Sequence, residues 1–499
     1  MGRAGEMQQV ELDDALDDAP AGDLRPSRGR RARWVVATVA VVALLGVATV
    51  QVAADRHEDA ALARLRTLPG VLEPVGEHLV ARPADRKAIM DLWGWPVDVA
   101  VTADGSQALT WTPEKGAPWT VDLTGPRDEL AVDGAQPGTT CQGTPVQDPR
   151  LVVCDVSDGG WVTPDDDDAS YGTVPSTRDD VVVLSASDGS VLSRWAVGRY
   201  TSVAVVEGVV AVAGLAGEHA VVTGYDAVTG AQRWVYRPRV ASRAEGDLDE
   251  AKVEGPTVFV NAVGRFFVVE ESAPATQALR PDGTEIRTIG DADAEPGSGY
   301  MSCDDDVRLG VVCVSSGSDG NEDVLLLGDD ADPARDRHLA GGLVRTSVDD
   351  GSVPGLVLTD DGGVRAWDAP SGRPAWTLGS GTAGGGWTDR LTPDALVLRG
   401  VVYCTVGNTL VAVDGRTGER RWSVDVGAGA SSLLTDGRQV LVAVENSDAS
   451  YLVAFDLRSG ERQFRADYPK GIDHLQPAGH RLVGYSDLGN GPSDFSVVS

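Results

Sequence analysis

The chain of 499 residues is 42% hydrophobic, contains 60 glycines and 5% aromatic residues, and has a formal net charge of −32. Its length provides ample material for a large core, and its glycine content suits many short strands joined by tight turns. The negative charge opposes any general attraction to phosphates, so binding to nucleic acid is not expected.

The first feature in chain order is an apolar segment, residues 34–54, which has no charged side chain over 21 positions. As a helix it would span about 31 Å, which matches the hydrocarbon core of a bilayer. Arginines cluster before the segment and acidic residues follow it, so the positive-inside rule predicts a cytoplasmic N terminus and an exported remainder. A cleaved signal peptide is the alternative, but the long leader and long apolar stretch favour an uncleaved, single-pass anchor in the cell membrane.

The segments on either side of this helix differ in composition. Residues 1–33 contain too few apolar residues to bury a core and are predicted to be a disordered cytoplasmic tail. Residues 55–70 are predicted to be a stalk or linker, in which residues 60–68 have helix-forming composition before Pro69 and Gly70. Residues 71–499 are predicted to form one extracytoplasmic domain.

A unit of strand, turn and strand that ends in an aromatic residue recurs through this domain. Its best copy is LVAVDGRTGERRW, residues 410–422. Four further copies share its frame, a shortened copy ends at Trp119, and eroded copies surround Gly283 and Pro333. The residues that define the five clear copies are Trp195; Asp226, Gly230 and Trp234; Asp368, Gly372 and Trp376; Asp414, Thr417, Gly418 and Trp422; and Asp456, Gly460 and Phe464.

The residue types of the unit predict a hairpin. Aspartate and threonine side chains accept backbone N–H bonds in turns, and glycine takes the positive φ that closes the turn. The terminal tryptophan offers a large surface that a single hairpin cannot bury, so we expect it to pack between neighbouring units.

The spacing of the copies predicts the architecture. Gly372 and Gly418 are 46 residues apart, and Gly418 and Gly460 are 42 apart. A period near 45 residues provides four strands, and four-stranded units repeated radially form a β-propeller. We therefore expect an all-β fold of about eight four-stranded blades; seven blades would result if the Trp119 unit or one acidic unit is a decoration.

The pattern A-x-D-x-x-T-G-x-x-x-W, matched fully by residues 412–422, resembles the repeat of the pyrroloquinoline quinone (PQQ)-type propellers. The resemblance covers roughly residues 98–468. This family contains quinone-dependent dehydrogenases as well as cofactor-free scaffolds, so the resemblance implies the fold more securely than an activity. Its enzymes use a pair of adjacent cysteines near the quinone, and the sequence has no such pair. No cofactor is therefore expected.

The five cysteines are predicted to be structural. Cys141 and Cys154, and Cys303 and Cys313, lie close in sequence across what look like neighbouring strands, and disulfides persist outside the cytoplasm. Two local disulfides are expected, with Cys404 as a buried thiol. No C-x-x-C motif occurs and no histidine lies at ligand spacing from a cysteine, so neither a zinc nor a redox site is expected.

Other candidate motifs favour ordinary structural roles. The acidic runs at 165–168, 291–297 and 304–306 lack the spacing of an EF-hand loop and are interpreted as solvated loops. Residues 379–384 match G-x-G-x-x-G but are not followed by a helical pattern, so a connection between blades is favoured over a dinucleotide site. No catalytic or metal-ligating residue is predicted.

The sequence thus indicates a membrane-anchored, non-catalytic binding or scaffold protein whose partner is a protein, a peptide or an envelope component. A quinone-dependent dehydrogenase is one alternative. A sensor that signals through its short tail is another.

Overall fold

The computed structural model divides into two compact units, Met1–Ala63 and Arg64–Ser499. None of the described helices has the length and hydropathy of a membrane span, and the predicted span, 34–54, lies outside the described residues. The predicted tail, 1–33, also lies outside them. The residues described are 60–84, 97–112, 117–132, 135–142, 150–162, 172–198, 202–216, 219–238, 258–271, 275–290, 299–306, 308–317, 322–328, 332–379, 394–427, 429–446, 449–486 and 495–499.

The second unit consists almost entirely of short strands. Its first part contains β1 (Ala81–Pro83), β2 (Val97–Val101), β3 (Gln107–Trp111), β4 (Trp119–Asp122), a 3-10 helix (Asp128–Leu130), β5 (Gln136–Pro137), β6 (Thr140–Gln142), β7 (Leu151–Ser157), β8 (Gly160–Val162), β9 (Gly172–Val174), β10 (Asp179–Ser185) and β11 (Val191–Ala196). The next part contains β12 (Ser202–Val206), β13 (Val209–Ala216), β14 (His219–Asp226), β15 (Gln232–Tyr236), β16 (Val258–Val263), β17 (Phe266–Glu271), β18 (Ala275–Leu279) and β19 (Glu285–Gly290).

Further strands and a second 3-10 helix follow. These are β20 (Gly299–Asp306), β21 (Gly310–Gly317), β22 (Glu322–Leu326), the 3-10 helix (Pro333–Arg335), β23 (Arg337–Ala340), β24 (Gly342–Leu343), β25 (Thr346–Asp349), β26 (Leu356–Asp360), β27 (Val364–Asp368) and β28 (Arg373–Leu378). The last part contains β29 (Ala395–Leu398), β30 (Val401–Val406), β31 (Thr409–Asp414), β32 (Arg420–Asp425), β33 (Ala430–Thr435), β34 (Gln439–Glu445), β35 (Ser450–Asp456), β36 (Arg462–Asp467), β37 (His474–Ala478), β38 (Arg481–Tyr485) and β39 (Ser496–Val498).

Nine sheets follow one another through the described part of this unit, and we number them in that order. Sheet 1 contains β2–β4; sheet 2 contains β6, β7, β10 and β11; sheet 3, β12–β15; sheet 4, β16–β19; sheet 5, β20–β23; sheet 6, β24 and β26–β28; sheet 7, β29–β32 with β25 added beside β29; sheet 8, β33–β36; and sheet 9, β37–β39 with β1. A small tenth sheet contains β5, β8 and β9. This succession of mostly four-stranded antiparallel sheets confirms the predicted all-β propeller architecture.

Sheets in the middle of this succession are apolar on both faces because a neighbouring sheet covers each face. Strand β34 shows this clearly, since its residues are buried continuously from Val440 to Val444. Val440, Val442 and Val444 join a core cluster that they share with sheet 7, whereas Leu441 and Ala443 join a cluster that they share with sheet 9. Because successive side chains of a strand point to opposite faces of the sheet, one continuous apolar run contributes to two interfaces between sheets.

The two ends of the described domain meet in sheet 9. β1 pairs antiparallel with β39, so that Ala81 lies opposite Val498. The Val80 N–H donates to the Ser499 carbonyl at 2.9 Å, and the Ser499 N–H donates to the Val80 carbonyl at 3.2 Å. The eight repeat units found in the sequence correspond to sheets 1–8. Sheet 9 carries no copy of the repeat and was not anticipated.

The segment just before β1 is also packed into the core. Leu65 is 4% exposed, and Val71 and Leu72 are each 1% exposed. Val71 forms a parallel bridge with Thr435, and the Leu72 N–H donates to the Thr435 carbonyl at 2.8 Å. Leu65 lies before the boundary predicted at residue 70, and Val71 and Leu72 lie after it. All three residues pack against the sheets.

Candidate interaction surface

The repeat turn is held together by its aspartate. In the turn between β31 and β32, Asp414 Oδ1 accepts hydrogen bonds from the Arg416 N–H at 3.1 Å, from the Thr417 N–H at 3.1 Å and from the Thr417 hydroxyl at 3.2 Å. The Gly418 N–H donates to the Asp414 carbonyl at 2.8 Å. The aspartate is therefore committed to the turn, and it presents no free carboxylate to a ligand.

The same arrangement recurs in the earlier and later copies. The N–H of Thr229 lies 2.8 Å from Asp226 Oδ1, and the N–H of Ser459 lies 2.8 Å from Asp456 Oδ1. Hydrogen bonds from the Thr229 N–H and from Arg233 lower the pKa of Asp226 to about 2. Asp368 accepts from the N–H of Ser371 in the same way, at 3.2 Å.

The glycine of each turn makes room for the tryptophan of the preceding sheet. Gly418 has φ +70°, and a Cβ there would lie 2.6 Å from the Trp376 side chain. Gly460 has φ +69° and stands in the same relation to Trp422. Glycine is required at these positions both for the backbone conformation and for the close approach of the ring. The tryptophans thus pack between successive sheets. At Gly372 the neighbouring side chain is that of Arg337 rather than a tryptophan.

Most of these tryptophans also donate a hydrogen bond to the next turn. The Nε1–H of Trp376 donates to the Gly415 carbonyl at 2.9 Å, and that of Trp422 donates to the Leu457 carbonyl at 3.1 Å. Trp234 donates likewise to a carbonyl of the following sheet, at 2.8 Å. Phe464 has no N–H to donate, and it packs into the core cluster shared with sheet 9.

The junction between sheets 2 and 3 departs from this pattern. The acceptor there is the Ala227 carbonyl, which receives the Ser193 hydroxyl at 2.5 Å. The buried Nε1–H of Trp195 has no hydrogen-bond partner among the described residues, although its ring packs 4.9 Å from that of Tyr225. An unsatisfied buried donor costs about 1–3 kcal/mol. At this junction a serine hydroxyl thus makes the hydrogen bond that a tryptophan makes at the junctions described above.

Exposed aliphatic side chains flank the same junction. Val191 is 53% exposed, Leu192 is 37% exposed, and Val228, in the turn that Ser193 contacts, is 57% exposed. In later copies the position of Val228 is occupied by Arg416 and Arg458. We call Val191, Leu192 and Val228 the aliphatic rim. Clustered exposed apolar side chains mark interaction sites more often than isolated ones do.

The cysteines form both predicted disulfides. Cys141 bonds to Cys154, and Cys303 bonds to Cys313; in each pair the two residues lie directly opposite each other on adjacent strands. Cys404 is a buried thiol whose pKa is raised to about 12 by burial. A buried thiol of such high pKa is a poor nucleophile.

A polar cluster in the described chain joins sheets 8 and 9. Glu445 accepts hydrogen bonds from the Tyr468 hydroxyl at 3.2 Å and from the Leu475 N–H at 3.2 Å, and it lies 3.0 Å from His474 Nδ1. Burial, and then the Glu445 carboxylate, raise the pKa of Tyr468. The Glu445 carboxylate therefore connects the two sheets.

The acidic runs give no metal site within the described residues. Asp305 accepts the Gly264 N–H at 2.6 Å, and Asp306 accepts the N–H groups of Arg308 and Leu309. The described part of the chain contains no group of three or more histidine, cysteine or acidic side chains placed to hold a metal ion. The runs at 165–168 and 291–297 and most of the 379–384 motif lie outside the described residues.

Residues 338–487, which include the copies with the best-formed turns, match a family described as outer membrane protein assembly factor BamB. These residues carry PQQ-like repeats. The chain is also 38% identical over 86 residues to the serine/threonine-protein kinase AfsK of Streptomyces coelicolor. That match covers 17% of this chain and 10% of the kinase, so the chain spans about a tenth of the length of this curated relative.

Solved propellers resemble the chain at low sequence identity. BamB from Moraxella catarrhalis has a TM-score of 0.33 and 17% identity, and the match covers 64% of this chain and 88% of BamB. Saccharomyces cerevisiae Sqt1 has a TM-score of 0.34 and 10% identity, over 70% of this chain and 92% of Sqt1. The WD40 domain of Toxoplasma gondii coronin has a TM-score of 0.31 and 11% identity, over 60% of this chain and 80% of that domain.

The aliphatic rim was missed by the analysis of the repeats. Val228 stands where the best copies of the repeat have arginine, and the sequence alone shows this difference. The contact that places Val228 beside the strand of Val191 and Leu192 runs between Ser193 and Ala227, and no sequence signal indicated it.

Proposed function

We propose that this protein is a non-catalytic binding or scaffold protein, anchored in the cell membrane by residues 34–54, which recruits a protein partner to an exported propeller. The observation that carries the proposal is the use of the repeat residues. The described aspartates of the motif bond within their own turns, as Asp414 does, whereas the glycines and tryptophans contact a neighbouring sheet, as Gly418 and Trp422 do. The propeller is thus built as a rigid frame on which a surface can be displayed.

The aliphatic rim is the surface that we assign to the partner. Desolvating three aliphatic side chains is favourable, at about 25 cal/mol for each Å² of apolar area buried. The centre of a protein interface is typically apolar and is surrounded by polar, solvent-accessible groups. The family match at residues 338–487 supports a protein-binding role, since the matched description is that of an assembly factor.

The two disulfides support the exported location. Cys141–Cys154 and Cys303–Cys313 join directly opposed strand residues, and such bonds persist in oxidising compartments. They agree with the orientation that the charges around residues 34–54 predict. A quinone enzyme has no comparable support, because the sequence lacks adjacent cysteines.

Site-specific photocrosslinking tests the partner surface. A photoreactive amino acid at Val228 of the full-length chain, activated in intact cells, should produce a discrete adduct that mass spectrometry assigns to one protein. The matched control places the same amino acid at Arg416, the equivalent and equally solvent-facing position of a later turn. Identical adducts from both positions, or none from Val228, would refute the assignment to the rim.

Fractionation tests the anchor separately. The full-length chain should stay with membranes after alkaline carbonate extraction, and protease added outside the cytoplasmic membrane should digest the propeller. Release by carbonate, or protection of the propeller until the membrane is broken, would contradict the anchor or its orientation.

A further inference from the structure

A cavity of about 640 Å³ lies where the two ends of the described domain meet. It is lined by four short segments, residues 73–75, 82–84, 480–482 and 497–499. Cavities of about 300–1,000 Å³ are of the size that binds small molecules. Nothing in the repeat or in the aliphatic rim accounts for this cavity.

Part of the cavity lining is apolar and buried. Val75 is 8% exposed, Leu482 is 2% exposed and Val498 is 3% exposed. Pro74 and Ala84 contribute further apolar surface. Val75, Leu482 and Val498 are packed into the core behind the cavity, whereas Val497 and Ala84 are partly exposed. The partly exposed residues suit a hydrocarbon or aromatic group, which gains free energy when it leaves water.

Cationic side chains lie beside this apolar surface. Arg82 and Arg481 both line the cavity and are exposed. Neither guanidinium group forms an ion pair within the described chain, whereas Arg127, Arg194 and Arg287 each pair with a carboxylate.

The lining also contains two acidic groups, the Glu73 side chain and the terminal carboxylate of Ser499, the last residue of the sequence. Neither lies within ion-pair distance of Arg82 or Arg481 in the described chain, so both guanidinium groups keep their hydrogen-bond donors for an anionic ligand.

The walls of the cavity are preformed by hydrogen bonds. The Glu73 N–H donates to the His480 carbonyl at 2.7 Å, and His480 Nδ1 lies 2.8 Å from the Val71 carbonyl oxygen. The paired backbone groups of Val80 and Ser499 hold the opposite side. A ligand would therefore enter without a large cost for ordering the chain.

We propose that this cavity binds a small amphiphilic anion, that is, a molecule with a carboxylate or phosphate group next to an apolar portion. The anionic group contacts Arg82 and Arg481, and the apolar portion contacts Val497 and Ala84. The site lies apart from the aliphatic rim, so its occupation does not depend on the proposed protein partner.

Calorimetric titration of the full-length chain in zwitterionic nanodiscs tests the site, with empty nanodiscs as the blank. The probes are 4-phenylbutyrate, phenyl phosphate and the neutral 4-phenylbutyramide. At least one anion should bind saturably, and the amide should bind at least about tenfold more weakly, because it forms no charge-assisted hydrogen bond with the arginines. Binding of the butyrate alone identifies a carboxylate ligand, and binding of the phosphate alone identifies a phosphate ester.

Variants separate the cavity from general attraction to arginine. R82S/R481S should lose at least about tenfold in affinity for the bound anion. R416S/R420S removes two exposed arginines from a turn and strand outside the cavity, and its affinity should equal that of the unaltered chain. A84F fills the cavity, keeps both arginines and should abolish binding, so the test stands even if the arginine variant misfolds. Failure of both anions to bind, equal binding of the amide, or unchanged affinity in R82S/R481S or A84F overturns the proposal.

Discussion

Trp422 contacts the turn of the next sheet rather than its own, and its replacement should therefore weaken two sheets at once. The Trp422→Ala change removes the ring that packs against Gly460 and the hydrogen bond to the Leu457 carbonyl. We expect a loss of about 3 kcal/mol in the free energy of unfolding, measured by urea denaturation. Trp161→Ala is the control, since Trp161 is 43% exposed, and it should change the stability by less than about 0.5 kcal/mol. Equal losses in the two variants would contradict this role.

The buried thiol of Cys404 should resist modification in the folded protein. Because burial raises its pKa to about 12, it carries almost no thiolate at pH 8, and the core shields it from reagent. Iodoacetamide should label no cysteine in the native protein, one cysteine in urea without reductant, and all five in urea with reductant. Mass spectrometry counts the labels. A native label on Cys404, or more than one label in urea alone, would be inconsistent with the structure.

Asp394, which directly precedes β29, should make the stability depend on pH. Burial raises its pKa to about 6 from an ordinary 3.8, and Arg345 opposes this shift only in part. The folded state therefore holds this proton more tightly than the unfolded state, so the contribution of Asp394 to stability is greatest below pH 4 and is lost as the pH rises to about 6.

The Asp394→Asn variant removes that dependence. Relative to the unaltered chain, its free energy of unfolding should rise by up to about 3 kcal/mol between pH 4 and pH 7, since one pKa unit corresponds to about 1.4 kcal/mol. Chemical denaturation at several pH values measures this difference. Asp467→Asn is the control, because that side chain is 82% exposed, and it should show no such rise. A flat difference for Asp394→Asn would refute the effect.

At the scale of the element, each disulfide connects two adjacent strands of one sheet. Cys303–Cys313 joins β20 to β21 across a separation of 10 residues, and Cys141–Cys154 joins β6 to β7 across 13. The loops are similar in length, so replacing either pair by alanine should cost a similar amount, about 3 kcal/mol, in the chain-entropy account. Thermal unfolding of the two double variants, C303A/C313A and C141A/C154A, tests this. A loss confined to one pair would show that local packing outweighs the loop length.

The sequence predicted the elements whose defining hydrogen bonds and backbone angles involve residues close together in the chain. The Asp414 turn and its strands follow from hydrogen bonds and φ values that lie within a few residues of one another. β25 pairs in parallel with β29, although the chain between them also forms three strands of sheet 6, and no local pattern indicates that pairing. The Ser193–Ala227 bond at the rim connects two sheets in the same way. Contacts between residues that are distant in sequence form only when the sheets assemble. They leave no local pattern from which a single sequence would predict them.

At the scale of the whole molecule, the N-terminal part of the second unit completes the propeller at its last two sheets. Leu72 and Val75 share a core cluster with Leu441 of sheet 8 and Leu482 of sheet 9. β1 supplies the outer strand of sheet 9, where an edge would otherwise expose unpaired backbone groups. The repeat pattern does not indicate this closure, because sheet 9 combines strands from distant parts of the chain and lacks the turn motif.

A chain beginning at residue 86 should therefore lose more than a terminal segment. Without residues 64–84, Leu441 and Leu482 would lose apolar contacts, and β39 would lose its partner strand. We expect amide hydrogen exchange to accelerate at least about tenfold in β37–β39, which corresponds to a loss of 1.4 kcal/mol or more in local stability. A chain beginning at Arg64 is the control, and its exchange in these strands should match that of the full-length protein. Because sheets 3 and 4 share no cluster with the removed segment, their exchange should change far less. Uniform acceleration across all sheets would instead mean that the propeller unfolds as one cooperative body once this closure is removed.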